Sequence, residues 1–336
     1  MSIFLILKNS WQTPFALYNI LAGLRRQKKF LQTHIQPHIN KALAVNDGSI
    51  SREDLKKINQ YYGLAVPAIL GEGFALLNGQ RLSSQERMAT TCQGAITGLG
   101  DDFFDNNKFS EAALKDFLEN PHHFKANNAA NELFLHFYTN SLSQSADTDK
   151  TLKRLKAVYQ AQLQSMAQAN RVLDTDSILE ISMLKGGCSL LFYRSAFNRP
   201  IDSNEEEALL LMGGLMQISN DVFDVYKDSS AGIQTLMSTC KKVADLRALY
   251  KALLKKAYVA IYKTNYNKKN IKQFINLVSI AVFSRCFVCF DQLEKAADSS
   301  GGIFTPADYT RKQLICDMDT AANKWASILY HIKYAF

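Results

Sequence analysis

The sequence predicts an all-α fold, with about ten to twelve helices in one domain spanning residues 1–336. Three observations predict it. Apolar residues recur at intervals of three and four through most of the chain. No segment alternates as a strand over more than a few residues. Helix caps and breakers fall between the periodic stretches. With 336 residues, 47% of them hydrophobic, the chain carries ample material for a core of its own. No internal repeat or low-complexity linker divides it.

Taken in order, the chain opens with Pro14 and a short helix, FALYNILAGLRRQKKF, ending in a basic run. Arg25, Arg26, Lys28 and Lys29 are read as solvent-facing, with attraction to an anionic membrane surface as the lesser alternative. His34 and His38 flank Pro37 at i and i+4, a spacing that suits a metal pair but finds no third ligand nearby. Ser51, with Glu53 and Asp54 behind it, opens a helix expected to bend at Pro67. Asn78-Gly79 is a turn, and Ser83 or Ser84 caps the helix that ends in DDFFD. The middle of that helix is rich in Ala, Gly, Thr and Cys, so a neighbouring helix can approach closely.

Residues 110–120 form a short helix closed by Pro121, which also spoils the E-x-x-H spacing of Glu119 and His122. Helical periods follow at 127–142 and 150–170, and another begins at Asp176 or Ser177. Gly186-Gly187 inside that pattern costs roughly 1 kcal/mol per glycine against alanine, which points to a local break or a close ligand approach. Pro200 and the acidic cap SNEEE lead into Gly213–Asp228, and SSAG closes that segment as a loop. Long helical patterns at about 233–264, 268–297 and 306–334 finish the chain.

Composition narrows the function. The net charge of +8 and pI near 9.0 suit an anionic partner, but much of the excess falls between Lys241 and Lys272. There Leu246, Leu249, Leu253 and Ala257 keep a helical period while Lys251, Lys255 and Lys256 take other faces, the pattern of a solvated helix. No nucleic-acid motif accompanies the charge, so no nucleic-acid partner is expected. No run of eighteen uncharged apolar residues occurs, and MSIFLILK is too short for a signal sequence. A cytoplasmic protein without a transmembrane segment is therefore expected. The six cysteines read as buried free thiols, and Cys286-x-x-Cys289 lacks the second pair that a zinc site would need.

Two acidic clusters carry the chemistry. Within GGLMQISNDVFDVYKD, Gln217, Asn220, Asp224 and Asp228 fall at intervals of three and four and make one polar stripe on an otherwise apolar helix. Burying unpaired carboxylates costs several kcal/mol each, and like charges at i and i+4 repel, so a cation is expected against the stripe. An oxygen-only ligand set suits Mg²⁺ or Mn²⁺ rather than zinc. Upstream, Asp101, Asp102 and Asp105 in GLGDDFFDNN place Asp101 and Asp105 on one helical face. Two such faces, if opposed, form a clamp for metal ions.

These residues resemble the class I isoprenoid synthases. DDFFD at 101–105 is similar to their DDxxD motif. NDVFDVYKD at 220–228 resembles the N-D-x-x-S-x-x-K-E motif of terpene cyclases, with Asp224 for Ser and Asp228 for Glu. Gln217, Asn220, Asp224 and Asp228 also match the Q-x-x-N-x-x-x-D-x-x-x-D pattern of squalene and phytoene synthases. Gln217, Asp221 and Asp224 resemble the Q-x-x-D-D-x-x-D of chain-elongating prenyltransferases, where a Lys-Thr-Gly helix similar to Lys185-Gly186-Gly187 precedes the motif.

The resemblance implies a helical bundle around a central apolar cavity and a prenyl diphosphate substrate, and it admits a homodimer. It further implies three Mg²⁺ ions, with Mn²⁺ as a substitute. Asp101 and Asp105 would hold two ions, Asn220, Asp224 and Asp228 the third, and Asp102 would stand behind them. Lys227, Lys185, Arg171, Arg311 and Gln217 are the candidates for gripping diphosphate. Phe103, Phe104, Phe192, Tyr193 and Phe223 are candidates to line the cavity, with ordinary core as the preferred reading for most of them. The implied activity is ionisation of a prenyl diphosphate to a cyclised terpene. Head-to-tail or head-to-head condensation is the alternative, and a helical binding protein that has lost the chemistry is the non-enzymatic one.

Overall fold

The computed structural model describes residues 3–107, 109–299 and 301–334; for residues 3–5, 8, 101, 102, 104–107 and 111 it describes the backbone alone. Among the described residues the chain is all-helical, with no strand. In order, the helices are α1 (Ile3–Phe30), α2 (Gln36–Ala44), α3 (Arg52–Lys56), α4 (Tyr62–Ala65), α5 (Glu72–Leu77), α6 (Ser84–Asn107), α7 (Glu111–Glu119), α8 (Ala129–Ser143) and α9 (Thr148–Ser165). They continue as α10 (Ala167–Asn170), α11 (Thr175–Arg194), α12 (Ser203–Phe223), α13 (Val225–Ser230), α14 (Val243–Tyr262), α15 (Lys268–Val278), α16 (Ser284–Asp298), α17 (Arg311–Leu314) and α18 (Ala321–Tyr334).

The residues group into two compact units. One comprises residues 1–17, 157–191 and 201–336; the other comprises 18–156 and 192–200. Helix α12 is central to the first unit, packing against α14 and α16. Its Ala208, Leu209, Met212, Leu215, Ile218 and Val222 are all fully buried, the pattern of a helix apolar on nearly every side. In the second unit α6 packs on α8 and on the α4 turn. Gly94 makes this possible: a Cβ there would meet the Tyr62 carbonyl at 2.6 Å. The small-residue middle of α6 is thus filled by a neighbouring backbone, as its composition suggests.

Local chemistry sets the ends. Ser51 and Asp54 form a reciprocal capping box, and Ser83 does the same with Glu86, at 2.9 Å for Ser83 N–H to the carboxylate and 3.2 Å for the return bond. Asp202 caps α12 by accepting from the Glu205 N–H at 2.8 Å. Asp174, rather than Asp176 or Ser177, caps α11. Gly79 takes φ +71° in the expected Asn-Gly turn. Around Pro67 the helix widens into a π-turn over Val66–Gly71, which accommodates the missing N–H.

Four expectations are corrected, the first being that SSAG is a loop throughout, since α13 runs through Ser230. The first helix does not start after Pro14 but carries it internally, running 28 residues. The pattern at 233–264 becomes helical only at Val243. Thr235 and Ser238 cap each other's N–H groups at 2.8 and 3.1 Å and hold the preceding stretch in a turn. The pattern at 306–334 is broken: Thr310 and Gln313 box the short α17, and the Asp317 carboxylate accepts from the Asp319 N–H at 2.8 Å before α18 begins. The continuous helical stretch Lys268–Asp298 is long and apolar enough to cross a membrane by composition, yet 78% of its most apolar window is buried inside the protein, as in a core helix. Of the cysteines, Cys92, Cys188, Cys286, Cys289 and Cys316 are buried and Cys240 is partly so, all six as free thiols.

Candidate active site at the α12–α13 junction

The site begins with four glycines. A Cβ on Gly186 would lie 2.0 Å from the Gly213 carbonyl oxygen, and one on Gly213 would lie 2.3 Å from that of Gly186. Gly187 likewise abuts Leu210, and Gly214 abuts Met183. α11 and α12 therefore cross backbone against backbone. The glycine pair in α11 marks this crossing and not a break, for α11 runs unbroken from Thr175 to Arg194.

The crossing brings Ser182 and Lys185 of α11 against the polar row of α12. Ser182 Oγ donates to Asp221 Oδ2 at 3.2 Å, and Gln217 Nε2 donates to Asp221 Oδ1 at 2.8 Å. Asp221 is buried, while Asn220 points outward and donates to Asp224 Oδ2 at 3.3 Å. At Asp224 the helix breaks, with φ −91° and ψ 8°, and resumes as α13. Asp224 is half-buried and Asp228 is buried.

Electrostatics there are strained in one direction. Burial raises the Asp221 carboxyl to about 6; its two hydrogen bonds and Lys185 oppose the shift, and the charge of Asp224 adds to it. Asp228 is raised to about 7, first by burial and then by the charges of Asp221 and Asp224, against Lys227 and Lys185. Three carboxylates thus feel one another with two lysines as the opposing charges. Beside them opens a depression of about 560 Å³ lined by Phe223, Asp224, Tyr226, Lys227, Ser230, Ala231, Arg311 and Ile315. The Arg311 guanidinium stands 5.9 Å from the Tyr226 ring centre, and Arg285 stands 5.8 Å from that of Phe223.

The expected residues therefore divide. Gln217, Asp224, Asp228, Lys185 and Lys227 gather around the junction, Asn220 sits at its exposed edge, and Arg311 joins Asp224 and Lys227 in one depression. Arg171 lines a different depression, of about 580 Å³, with Leu163, Met166, Asn170 and Glu180. Asp101, Asp102 and Asp105 stand on the last turns of α6, and their side chains lie outside the described residues, as does that of Phe104. Phe103 is core: it stacks on Phe134 with ring centres 3.8 Å apart. Phe192 and Tyr193 are core as well, and Tyr193 donates to Thr97 Oγ1 at 3.0 Å. Phe223 lines the depression at the junction.

No family model, curated protein or solved structure matches this chain.

Asp221 and Ser182 are the site residues that the motif stripe passed over. The signal for Asp221 was its i+4 spacing from Gln217, a choice between intervals of three and four that one helix face leaves open. As placed, no three His, Cys, Asp or Glu side chains among the described residues converge on a common point. The ligand atoms that the junction offers are nevertheless carboxylate and amide oxygens, and the raised pKa values of Asp221 and Asp228, caused first by burial and then by neighbouring carboxylates, make their ionisation costly without an added cation. Both properties fit a hard divalent cation such as Mg²⁺.

Proposed function

We propose that this protein is a Mg²⁺-dependent class I isoprenoid synthase that ionises a prenyl diphosphate, with cyclisation as the outcome. The observation that carries the reading is the crowding of Asp221, Asp224 and Asp228, with Asp224 also lining a depression that holds Lys227 and Arg311. Carboxylates beside cations form a two-sign surface, which suits a diphosphate bridged to metal ions. Asn220, Asp224 and Asp228 would hold one ion, and Asp101 and Asp105 remain the candidate ligands for the others. Magnesium bound there would neutralise the charge that gathers on a departing diphosphate.

The chain's own groups do the rest. Lys227 and Arg311 bind phosphate oxygens, while Gln217 and Ser182 orient Asp221 through the hydrogen bonds they donate. Tyr226 and Phe223 offer ring faces at the rim, where a cation–π contact is worth about 0.5–2 kcal/mol to an adjacent carbocation. Incubation with one allylic diphosphate, with and without isopentenyl diphosphate, tests the reading. Release of diphosphate with a cyclic hydrocarbon supports it. No release at any chain length from C10 to C20 in the presence of Mg²⁺ refutes it.

Condensation is the second reading, and one observation favours it. The residues that match the elongating pattern, Gln217 and Asp221, are the pair joined by the 2.8 Å hydrogen bond, next to Lys185 on α11. Product formation only when isopentenyl diphosphate is present would select it. A binding protein without chemistry would show neither product nor diphosphate-dependent uptake of Mg²⁺.

A further inference from the structure

α1 is built inside out. Its buried face carries Asn9, Thr13, Ala16, Gly23 and Gln27, small or polar residues. Their polar groups are satisfied within the fold: Asn9 Nδ2 donates to the Ile332 carbonyl at 3.1 Å, and Thr13 Oγ1 to that of Asn9 at 2.8 Å. Gln27 Nε2 donates to the Gly63 carbonyl and to Thr91 Oγ1, both at 2.9 Å. The outer face carries Leu7, Trp11, Phe15, Tyr18 and Leu21, spaced four, four, three and three apart, all exposed and Trp11 by 76%. A soluble helix does the reverse, and a contiguous exposed row of large apolar side chains marks a surface that meets something.

The neighbouring α18, joined to α1 through the Asn9–Ile332 bond, shows the same inversion. Trp325 and Leu329 are exposed, while Ser327 and His331 are buried against Ser284 and Ser279 at 2.8 and 3.0 Å.

Charge identifies the partner. Residues 1–46 contain Lys8, Arg25, Arg26, Lys28, Lys29 and Lys41 and no Asp or Glu; Asp47 is the first acid of the chain. Arg25 and Lys28 continue the line of the outer face beyond Leu21 at i+4 and i+3, and both are exposed. Pairing two copies through this face would press two acid-free cationic segments together. Trp, Tyr and Phe side chains suit the headgroup boundary of a bilayer, and each Lys or Arg near an anionic surface adds about 1 kcal/mol of attraction.

We propose that α1 lies in the plane of an anionic lipid bilayer. Trp11, Phe15, Tyr18 and Leu21 enter the acyl boundary, and Arg25, Lys28 and Lys29 meet the headgroup phosphates. This holds whether or not the α12–α13 junction is catalytic.

Flotation of the full chain with phosphatidylcholine vesicles, with and without phosphatidylglycerol, tests it. Binding is expected only with the anionic lipid and is expected to weaken as salt rises. The chain has two tryptophans, so Trp325→Phe leaves Trp11 as the sole reporter, and its emission should shift to the blue on binding. Trp11→Ala/Phe15→Ala and, separately, Arg25→Gln/Lys28→Gln/Lys29→Gln should each cut the bound fraction about tenfold or more while far-ultraviolet circular dichroism stays unchanged. Failure of the full chain to float with anionic vesicles would overturn the proposal. So would binding that leaves Trp11 emission unmoved, or a solution dimer that the Trp11→Ala/Phe15→Ala change converts to monomer.

Discussion

α12 and α1 both break the rule that polar residues face water and apolar ones face the core, but in opposite senses. α12 is apolar on nearly every side and yet buries Asp221, with Asp228 buried just beyond its end. α1 turns Trp11 and Phe15 outward and buries Asn9 and Gln27. The conflict in α12 is electrostatic and local, so a bound cation would resolve it. The conflict in α1 is spread over several turns with cations at one end, so only an extended surface resolves it. Each is a place where a local rule fails and where a partner outside the chain would complete the structure.

The comparison can be broken at either helix. The largest effect is expected from Asp224→Ala, which should lower diphosphate release about 10²-fold or more with the helical signal intact. A Trp11→Ala/Phe15→Ala variant should leave release from a soluble substrate unchanged. If both changes abolish release, the two regions are not separate devices. Next comes Gly186→Ala, whose Cβ has no room against the Gly213 carbonyl. It should cost about 1–3 kcal/mol in urea unfolding, and a neutral result would dissolve the close helix crossing that sets Lys185 and Ser182 beside Asp221. Lys227→Gln and Arg311→Gln should each raise KM about tenfold with little change in kcat, if they bind the diphosphate equally before and during ionisation. An unchanged KM in both would remove the depression from the site.

The smallest effect is on stability against pH. The folded carboxyls of Asp221 and Asp228 are raised to about 6 and about 7 from an ordinary value of 3.8, so the folded chain holds protons that the unfolded chain releases. Their contribution is full below the ordinary value and is lost as pH rises through the raised ones. Wild type and Asp228→Asn should therefore melt together near pH 4 and diverge toward pH 8, with the variant more stable by a few degrees. Mg²⁺ with diphosphate should close the gap by raising the wild-type melting temperature.

Helices with strong termini were legible. The boxes at Ser51 and Ser83 state their ends in the sequence, and the apolar period between them states their buried faces, whereas SNEEE proved to be the first turn of α12 with Asp202 as its cap. Where the period continued without caps, as at 306–334, it could not reveal that Thr310 and Asp317 divert the backbone by bonding it locally. Gly186-Gly187 announced a cost without its cause, because the compensating partner, Gly213-Gly214, lies more than twenty residues away. The stripe Gln217–Asn220–Asp224–Asp228 was legible as a polar face. Asp228 of that face is buried, but so is Asp221 beside the stripe, since spacing alone does not tell which of two adjacent rows α11 will cover. The inversion of α1 was invisible to the pattern, since a helical period is the same whichever face is turned inward.

The most direct test of the site is calorimetric titration of Mg²⁺ into the full chain with and without inorganic diphosphate, repeated on Asp224→Ala. Saturable Mg²⁺ binding is expected in the wild type when diphosphate is present and is expected to vanish in the variant. Absence of binding in the wild type, or equal binding in both proteins, would contradict a metal-held diphosphate at the α12–α13 junction.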